Sequence, residues 1–577
     1  MSRESGLTVS FTNVGKGQVV LDLPPDALMP EMNNQRVPGR VYVDSPDTPS
    51  ATNVRLDNGM AQTRPGYEQY ADLYGGPTAG EPVIGMYNAV FDDGTQAIVM
   101  GTTEDLTKNT GGAWGSINAG SDFTKATAEP WTFTLARRSG VLTPRNQMLA
   151  CNGVDDIVSW AGTSNITRDV GATVITGARV LLGHQGRGFA MNVIDTDSGD
   201  RREQRVQYSI LGDSSTWTGT GSGFVDLDDD PYPIVAATVV AGRIVVYKGN
   251  AHGGSVVVGT PTGSYNTPYR WDTVNKGTGV GILFPRTLVH LSENLTFFLG
   301  HDGFYIHDGA RGLTRLPSRM EEDLLGRVNY GSLKGGVAWL KPRLGEVVIG
   351  VPIGEGTWAS EYWTFNIRER RFYGPYAYDH QFTAATIGDP EGTALTWNNA
   401  LGSWDNVPTY YPTWNDVNPP AGASGILLGA DNGETMADTD AAQDDNGAVL
   451  TGTWYTPAIV PKGYTIYRGD ATALGVRPQH VLDEHDVLTL RDVTIRYRDG
   501  VAWTPVVEVS IDGGSAWTTV SDGVAVGGGG TSKLNIKSAY LDPLSSNWFQ
   551  LRVSGSEHMK LSGMTMSFTY AGDKRNE

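Results

Sequence analysis

The stretch FFLGHDGFYIHDGARGL, residues 297–313, holds two His-Asp-Gly triplets six residues apart. Imidazoles beside carboxylates are the raw material of metal centres and of general acid–base pairs. The residues around them argue against both. Asp302-Gly303 and Asp308-Gly309 are tight-turn dipeptides, in which glycine supplies a positive φ and aspartate bonds its own backbone. The FYIH between them is strand-forming. His301 and His307 then stand at opposite ends of one strand, about 15–20 Å apart at the usual rise. A shared metal would need both nitrogens within about 2.1 Å of it. Asp302, Gly303, Asp308 and Gly309 read as hairpin punctuation.

The rest of the chain is equally poor in chemical motifs. It has no P-loop, HExxH, GxSxG or strand-borne GxGxxG, and its nine histidines are scattered. DTDSGD (195–200) places carboxylates at alternate positions but lacks the remaining ligands of a calcium loop. DLDDDP concentrates Asp226, Asp228, Asp229 and Asp230 in one loop. No catalytic, cofactor-binding or metal-ligating residue is assigned, and no enzymatic activity is expected. SIDGGSAWTTV (510–520) matches the turn known as an Asp-box through Ser510, Asp512, Gly514 and Trp517, with Ala516 where Thr or Ser is usual. Asp512 is placed to cap turn amides, Gly514 to take positive φ and Trp517 to cover the turn, which makes it a folding device. Ser209, Asp213 and Trp217 form a similar set.

The elements that would position these residues are short strands. The punctuation recurs at Asp93-Gly94, Asn152-Gly153 and Asp431-Asn432-Gly433, each between two apolar runs. Strand–turn–strand units with other turns lie at 237–251, 338–352 and 362–376. The intervals are irregular, as in antiparallel blades with variable loops. Gly 74, Pro 30, Trp 15 and only 19% charged residues fit an all-β chain. One helix is expected at 317–328, with Ser318 as cap and Glu321 at its third position. Cys151 is single, so no intrachain disulfide can form, and its apolar neighbours predict a buried thiol. No apolar run spans a membrane and no signal peptide is expected.

The fold class is all-β: an irregular β-propeller of six to eight blades, seven being the best guess, with an additional β-sandwich. Residues 1–70 form an N-terminal extended segment and hairpin, 71–445 the propeller, and 446–577 the sandwich, whose strands alternate apolar and polar residues. The acidic run 438–448 reads as the linker. The aromatic stretch 397–420 suits a long loop in which Trp397, Trp404 and Trp414 form an interface. With 63 acidic against 44 basic residues the net charge is −19, which opposes sequence-reading nucleic-acid binding but suits a surface past which nucleic acid slides.

In order along the chain, NVRLDNGMAQTRPGY (53–67), ARVLLGHQGRGFAMN (178–192), RVQYSILGDSSTW (205–217), AGRIVVYKGNA (241–251), GTGVGILFPRTLV (277–289), FFLGHDGFYIHDG (297–309) and YWTFNIRERRFYG (362–374) resemble the β-propeller tail proteins of short-tailed double-stranded DNA bacteriophages. These include tail tubular, nozzle and head-closure stabilisation proteins. The resemblance covers residues 15–445. It implies a structural virion protein of the tail, made in the host cytoplasm and released by lysis. It further implies a homo-hexameric ring around the DNA exit channel. Its partners would be adaptor, fibre or tip proteins, with genomic DNA passing through unbound. The loop from Asp226 to Asp230, and the acidic run 438–445, would line that channel or be solvated. The alternative is a carbohydrate-binding or sialidase-like propeller, motivated by the Asp-box and the three tryptophans.

Overall fold

The computed structural model describes residues 80–388 and 425–456, together with 6–12, 18–22, 40–44, 51–57, 60–71, 465–467, 478–481, 486–497, 503–520, 530–534, 545–556 and 559–573, apart from short stretches inside these ranges. Two compact units emerge. One comprises Tyr67–Arg371 and Tyr378–Asp440. The other comprises Met1–Gly66, Phe372–Ala377 and Ala441–Glu577.

The first unit is a β-propeller of seven antiparallel sheets. The innermost strands, in blade order, are Gly85–Val90, Thr132–Arg137, Ile175–His184, Ile234–Val240, Val289–Ser292, Val337–Lys341 and Phe382–Gly388. The last packs beside the first, so the ring closes. The turns anticipated at Asp93-Gly94, Asn152-Gly153, Asp302-Gly303, Asp308-Gly309 and Asp431-Asn432-Gly433 each join two strands of one blade. Gly303 and Gly309, at φ 148° and 72°, take the backbone conformation that their Asp-Gly pairs predict.

Blade seven shows how closure is made. Its three inner strands, Phe382–Gly388, Gly425–Ala430 and Thr435–Asp438, come from late in the chain. Its outermost strand, Glu68–Ala71, comes from before blade one and pairs antiparallel with Thr435–Asp438. The seam against blade one carries main-chain and side-chain bonds. Val83 N donates to Ala430 O at 3.0 Å. Thr383 Oγ1 donates to Val83 O. Trp114 Nε1 donates to Thr435 Oγ1 at 3.2 Å.

Apolar faces of neighbouring blades fill the space between them. Phe189, Met191 and Val206 of blade three meet Ile234, Ile244 and Val246 of blade four, all buried. Buried polar groups fix the register of that packing. Asn192 Nδ2 donates to Ile234 O at 2.8 Å. Lys248 Nζ, fully buried, pairs with Asp230 at 2.7 Å and donates to Leu227 O, which ties the loop between blades three and four. Lys341 of blade six pairs with Asp438 of blade seven at 2.7 Å, both almost fully buried, and Trp339 Nε1 donates to the same carboxylate at 3.1 Å.

Residues 1–70 do not form a module of their own. Strand Gly6–Thr12 lies antiparallel to Lys560–Asp573, with Val9 opposite Met566. The second unit is therefore a sandwich drawn from both ends of the chain. One sheet runs Arg40–Asp44, Gln18–Asp22, Gly6–Thr12, Lys560–Asp573, Asp486–Tyr497 and Gly530–Leu534. The other runs Ala51–Thr52, Thr451–Tyr455, Gln550–Ser556, Val506–Ser510 and Thr518–Thr519. Val507, Val509, Leu551 and Val553 of the second sheet are buried at alternate positions, as are Met564, Met566 and Phe568 of the first. Phe549 and Phe568 meet with ring centroids 5.0 Å apart.

The acidic run 438–448 is no simple solvated linker. Asp438 is held by Lys341, and Asp445 is buried in a bidentate pair with Arg64, 2.9 Å for the Nη1–Oδ1 contact. The arginine also donates to Ala377 O and Asn53 Oδ1. Burying these carboxylates requires such partners, because an unpaired buried charge is expensive. The helix spans Met320–Arg327, shorter than 317–328. Glu321 turns to Arg315 at 2.9 Å instead of capping the helix.

Asp438→Ala leaves Lys341 buried and unpaired, and should destabilise the propeller by about 3–5 kcal/mol in chemical unfolding. The double variant Lys341→Met/Asp438→Leu should recover most of that loss. Cys151 is fully buried and burial pushes its thiol well above the ordinary range. It should therefore resist a thiol-reactive dye in the native protein and react fully once the protein is unfolded.

Candidate functional site

The inner strands of a propeller converge on its axis, where small side chains let them approach. Here Ala237, Ala338, Ala384 and Ala385 occupy that position and line a cavity of about 760 Å³. Every blade contributes to the lining. The walls are mostly apolar, with Tyr87 stacked on Phe133 at 5.7 Å and 11°. Burial pushes the Tyr87 hydroxyl up to about 12, so it stays neutral.

The polar lining is concentrated on the segments that lead into the inner strands. Glu129, before blade two, receives Arg179 Nη2 and Lys334 Nζ on the same oxygen, each at 2.8 Å. Arg286 belongs to a single 3-10 turn, Pro285–Thr287, at the entry to blade five. Its Nη2 donates to Lys334 O and its Nη1 reaches Ile84 O at 3.4 Å. Its Nε is buried with no partner, and its guanidinium lies 5.8 Å from the Trp358 ring. Burial pushes Arg286 down to about 10, so it remains cationic at neutral pH. Glu129 is the one carboxylate in this lining. Hydrolysis by paired carboxylates would need a second. The arrangement is suited to holding an anion.

The residues singled out from sequence lie elsewhere. His301 Nε2 contacts Asn250 O across the junction of blades five and four, while His307 is buried and contacts Ala310 O at 3.0 Å. Asp302 accepts from Tyr305 Oη at 2.8 Å, and Asp308 caps Ala310 N at 2.9 Å. In the acidic loop, Asp226 pairs with Arg205 at 2.8 Å and Asp230 with Lys248, so these two are committed inside the chain. Asp228 and Asp229 are exposed, Asp229 accepting from Thr273 Oγ1 at 3.1 Å. Asp195 is held by Arg205 at 2.9 Å. Among the described residues no three His, Cys, Asp or Glu side chains gather as a metal site.

In the sandwich, Asp512 accepts Ala516 N at 2.9 Å and Ser510 Oγ at 2.8 Å, and the Ala516 amide holds its carboxyl below the usual range. Trp517 packs beneath Arg552, 4.6 Å from guanidinium carbon to ring centre. Gly514 lies outside the described residues, as do Trp397, Trp404 and Trp414. No helix among the described residues is long and apolar enough to cross a membrane.

No family model matches the chain, and no curated protein matches it. Among solved structures it is similar to BamB from Moraxella catarrhalis, at 10% identity over 66% of this chain and 97% of that one, TM-score 0.35. It is similar to BBS1N, solved in complex with ARL6DN, at 10% identity over 66% and 99%, TM-score 0.36. It is likewise similar to the Neurospora crassa Pan2 WD40 domain, at 8% identity over 64% and 94%, TM-score 0.36. The propeller itself is read from the chain's own seven sheets.

Burial lowers the proton affinity of His184, His290 and His307 below the ordinary imidazole value. These side chains bind protons more tightly when unfolded, so the stability they contribute is present above the unfolded value of about 6.5 and is lost below it. The melting temperature should fall as pH drops from about 6.5 toward 5, and His307→Gln should shallow that fall.

Proposed function

We propose that this chain is a structural subunit of a bacteriophage tail, a nozzle or hub protein that forms a ring of about six copies. In this reading genomic DNA passes through the ring, and adaptor, fibre or tip proteins dock on it. The observation that carries it is the ordered run of hairpins at 178–192, 241–251, 297–309 and 362–374, which resembles that of tail propellers and falls on blades three to six. The charge of −19 supports it, since an acidic lumen repels phosphates and lets DNA slide. In this reading the DNA channel is made between copies of the chain, because a volume of about 760 Å³ does not admit a duplex. Asp228 and Asp229 are exposed and, in this reading, face such a lumen.

Ring formation needs an exposed apolar surface. Leu211, Phe224 and Tyr265 are 51%, 56% and 46% exposed. All three belong to blades three and four. Tyr265 is stacked by Arg187 at 5.3 Å, and Leu211 lies beside Gly186, in a neighbouring turn of blade three.

Light scattering with negative-stain imaging tests the reading. The expected result is a ring of about six subunits, formed by the chain alone or on addition of tail components. Leu211→Asp with Phe224→Asp should reduce it to monomers that retain the native circular dichroism. A monomer indifferent to tail components that cleaves or binds surface glycans would overturn it.

A further inference from the structure

The axial cavity holds a charge imbalance that the chain does not resolve internally. Arg179, Lys334 and Arg286 contribute three cations, and Glu129 supplies one carboxylate. This happens in a chain with nineteen more acidic than basic residues. Arg286 is the extreme case. Among the described residues it pairs with no carboxylate; its guanidinium is held by two backbone carbonyls, and Nε is buried without a partner. A partly buried cation without a counter-charge costs folding free energy. Such an arrangement is kept where the missing counter-charge arrives from outside, and perturbed charged groups in a cleft mark binding sites. The lowered proton affinity of Arg286 has burial as its cause and agrees with that geometry.

The cavity also has the form of a ligand pocket. Its volume of about 760 Å³ lies within the 300–1,000 Å³ span typical of small-molecule sites. Apolar and aromatic walls with a few convergent polar groups are the usual lining of such sites. Trp358, stacked against Arg286, and the paired rings of Tyr87 and Phe133 offer flat surfaces. The Lys334 side chain is 49% exposed, so its ammonium can turn from Glu129 toward an incoming anion.

We infer that this cavity binds a small organic anion, a phosphate or carboxylate head group on an aromatic or aliphatic body. The head group is received by Arg286 and Lys334 and the body by Trp358, Tyr87 and Phe133. Duplex DNA is excluded by size. This inference stands independently of ring formation, because every residue it uses lies within one propeller.

Isothermal titration of the full-length protein with phenyl phosphate, phenylacetate, inorganic phosphate and benzyl alcohol tests it. The expected result is one saturable site per chain for phenyl phosphate or phenylacetate, tighter than for inorganic phosphate, with no binding of benzyl alcohol. Whichever of the two organic anions binds tighter identifies the head group. Arg286→Gln should weaken that binding at least tenfold, and Lys334→Gln severalfold, while Arg202→Gln on an exposed strand should leave it unchanged. Should Arg286→Gln fail to fold, Lys334→Gln and Trp358→Leu carry the same test. Absence of saturable binding by any anion to the folded protein would overturn the inference. So would affinity unchanged in the cavity variants, or benzyl alcohol binding as tightly as the anions.

Discussion

The structure depends on one antiparallel pairing, that of Glu68–Ala71 with Thr435–Asp438. A propeller without closure has two open sheet edges at its ends, each a row of unpaired backbone groups. Drawing the outer strand of the last blade from the beginning of the chain ties first and last blades into one unit. Around that seam the side chains are consistent with the backbone. Tyr67, fully buried just before the closing strand, bonds His380 Nδ1 at 2.7 Å, and His380 Nε2 meets Glu434 at 2.7 Å. Tyr67 is also packed edge-on against Phe382. The closing strand is thus anchored to the blade it completes by hydrogen bonds as well as by apolar contact.

The blades use polar groups sparingly and in a repeated role. Apolar packing between blades is tolerant of small slips, because its energy depends on area more than direction. Asn192, Lys248, Lys341 and Trp339 each add a directional bond to a carbonyl or a carboxylate on a neighbouring element. Such groups in a low-dielectric setting contribute little net stability, but a misplaced one is heavily penalised. They select one arrangement of seven sheets from many of similar buried area. The cationic cavity at the axis is the exception, since among the described residues Arg286 is met by backbone carbonyls and by no carboxylate.

Local chemistry was legible in the sequence and non-local pairing was not. Asp-Gly and Asn-Gly pairs flanked by apolar runs located the blade hairpins, because turn geometry is set by two or three adjacent residues. Cys151 was readable as buried from its apolar neighbours. By contrast, Gly6–Thr12 joins a sheet with Lys560–Asp573, a partnership that no local pattern announces. Asp438 and Asp445 looked like solvated linker carboxylates because their partners, Lys341 and Arg64, lie 97 and 381 residues away. The axial cavity was missed for the same reason. Glu129, Arg179, Arg286 and Lys334 share no motif, and only the ring brings them together.

The sandwich drawn from both ends of the chain has a consequence for synthesis. Gly6–Thr12 finds its partner only when residues 563–569 have left the ribosome. At about 5–20 residues per second, that interval is on the order of half a minute to two minutes. The propeller lies between the two halves and can collapse while the early strands wait. During this window a strand edge stands open to neighbouring nascent chains, so expression temperature and chaperone supply bear on yield.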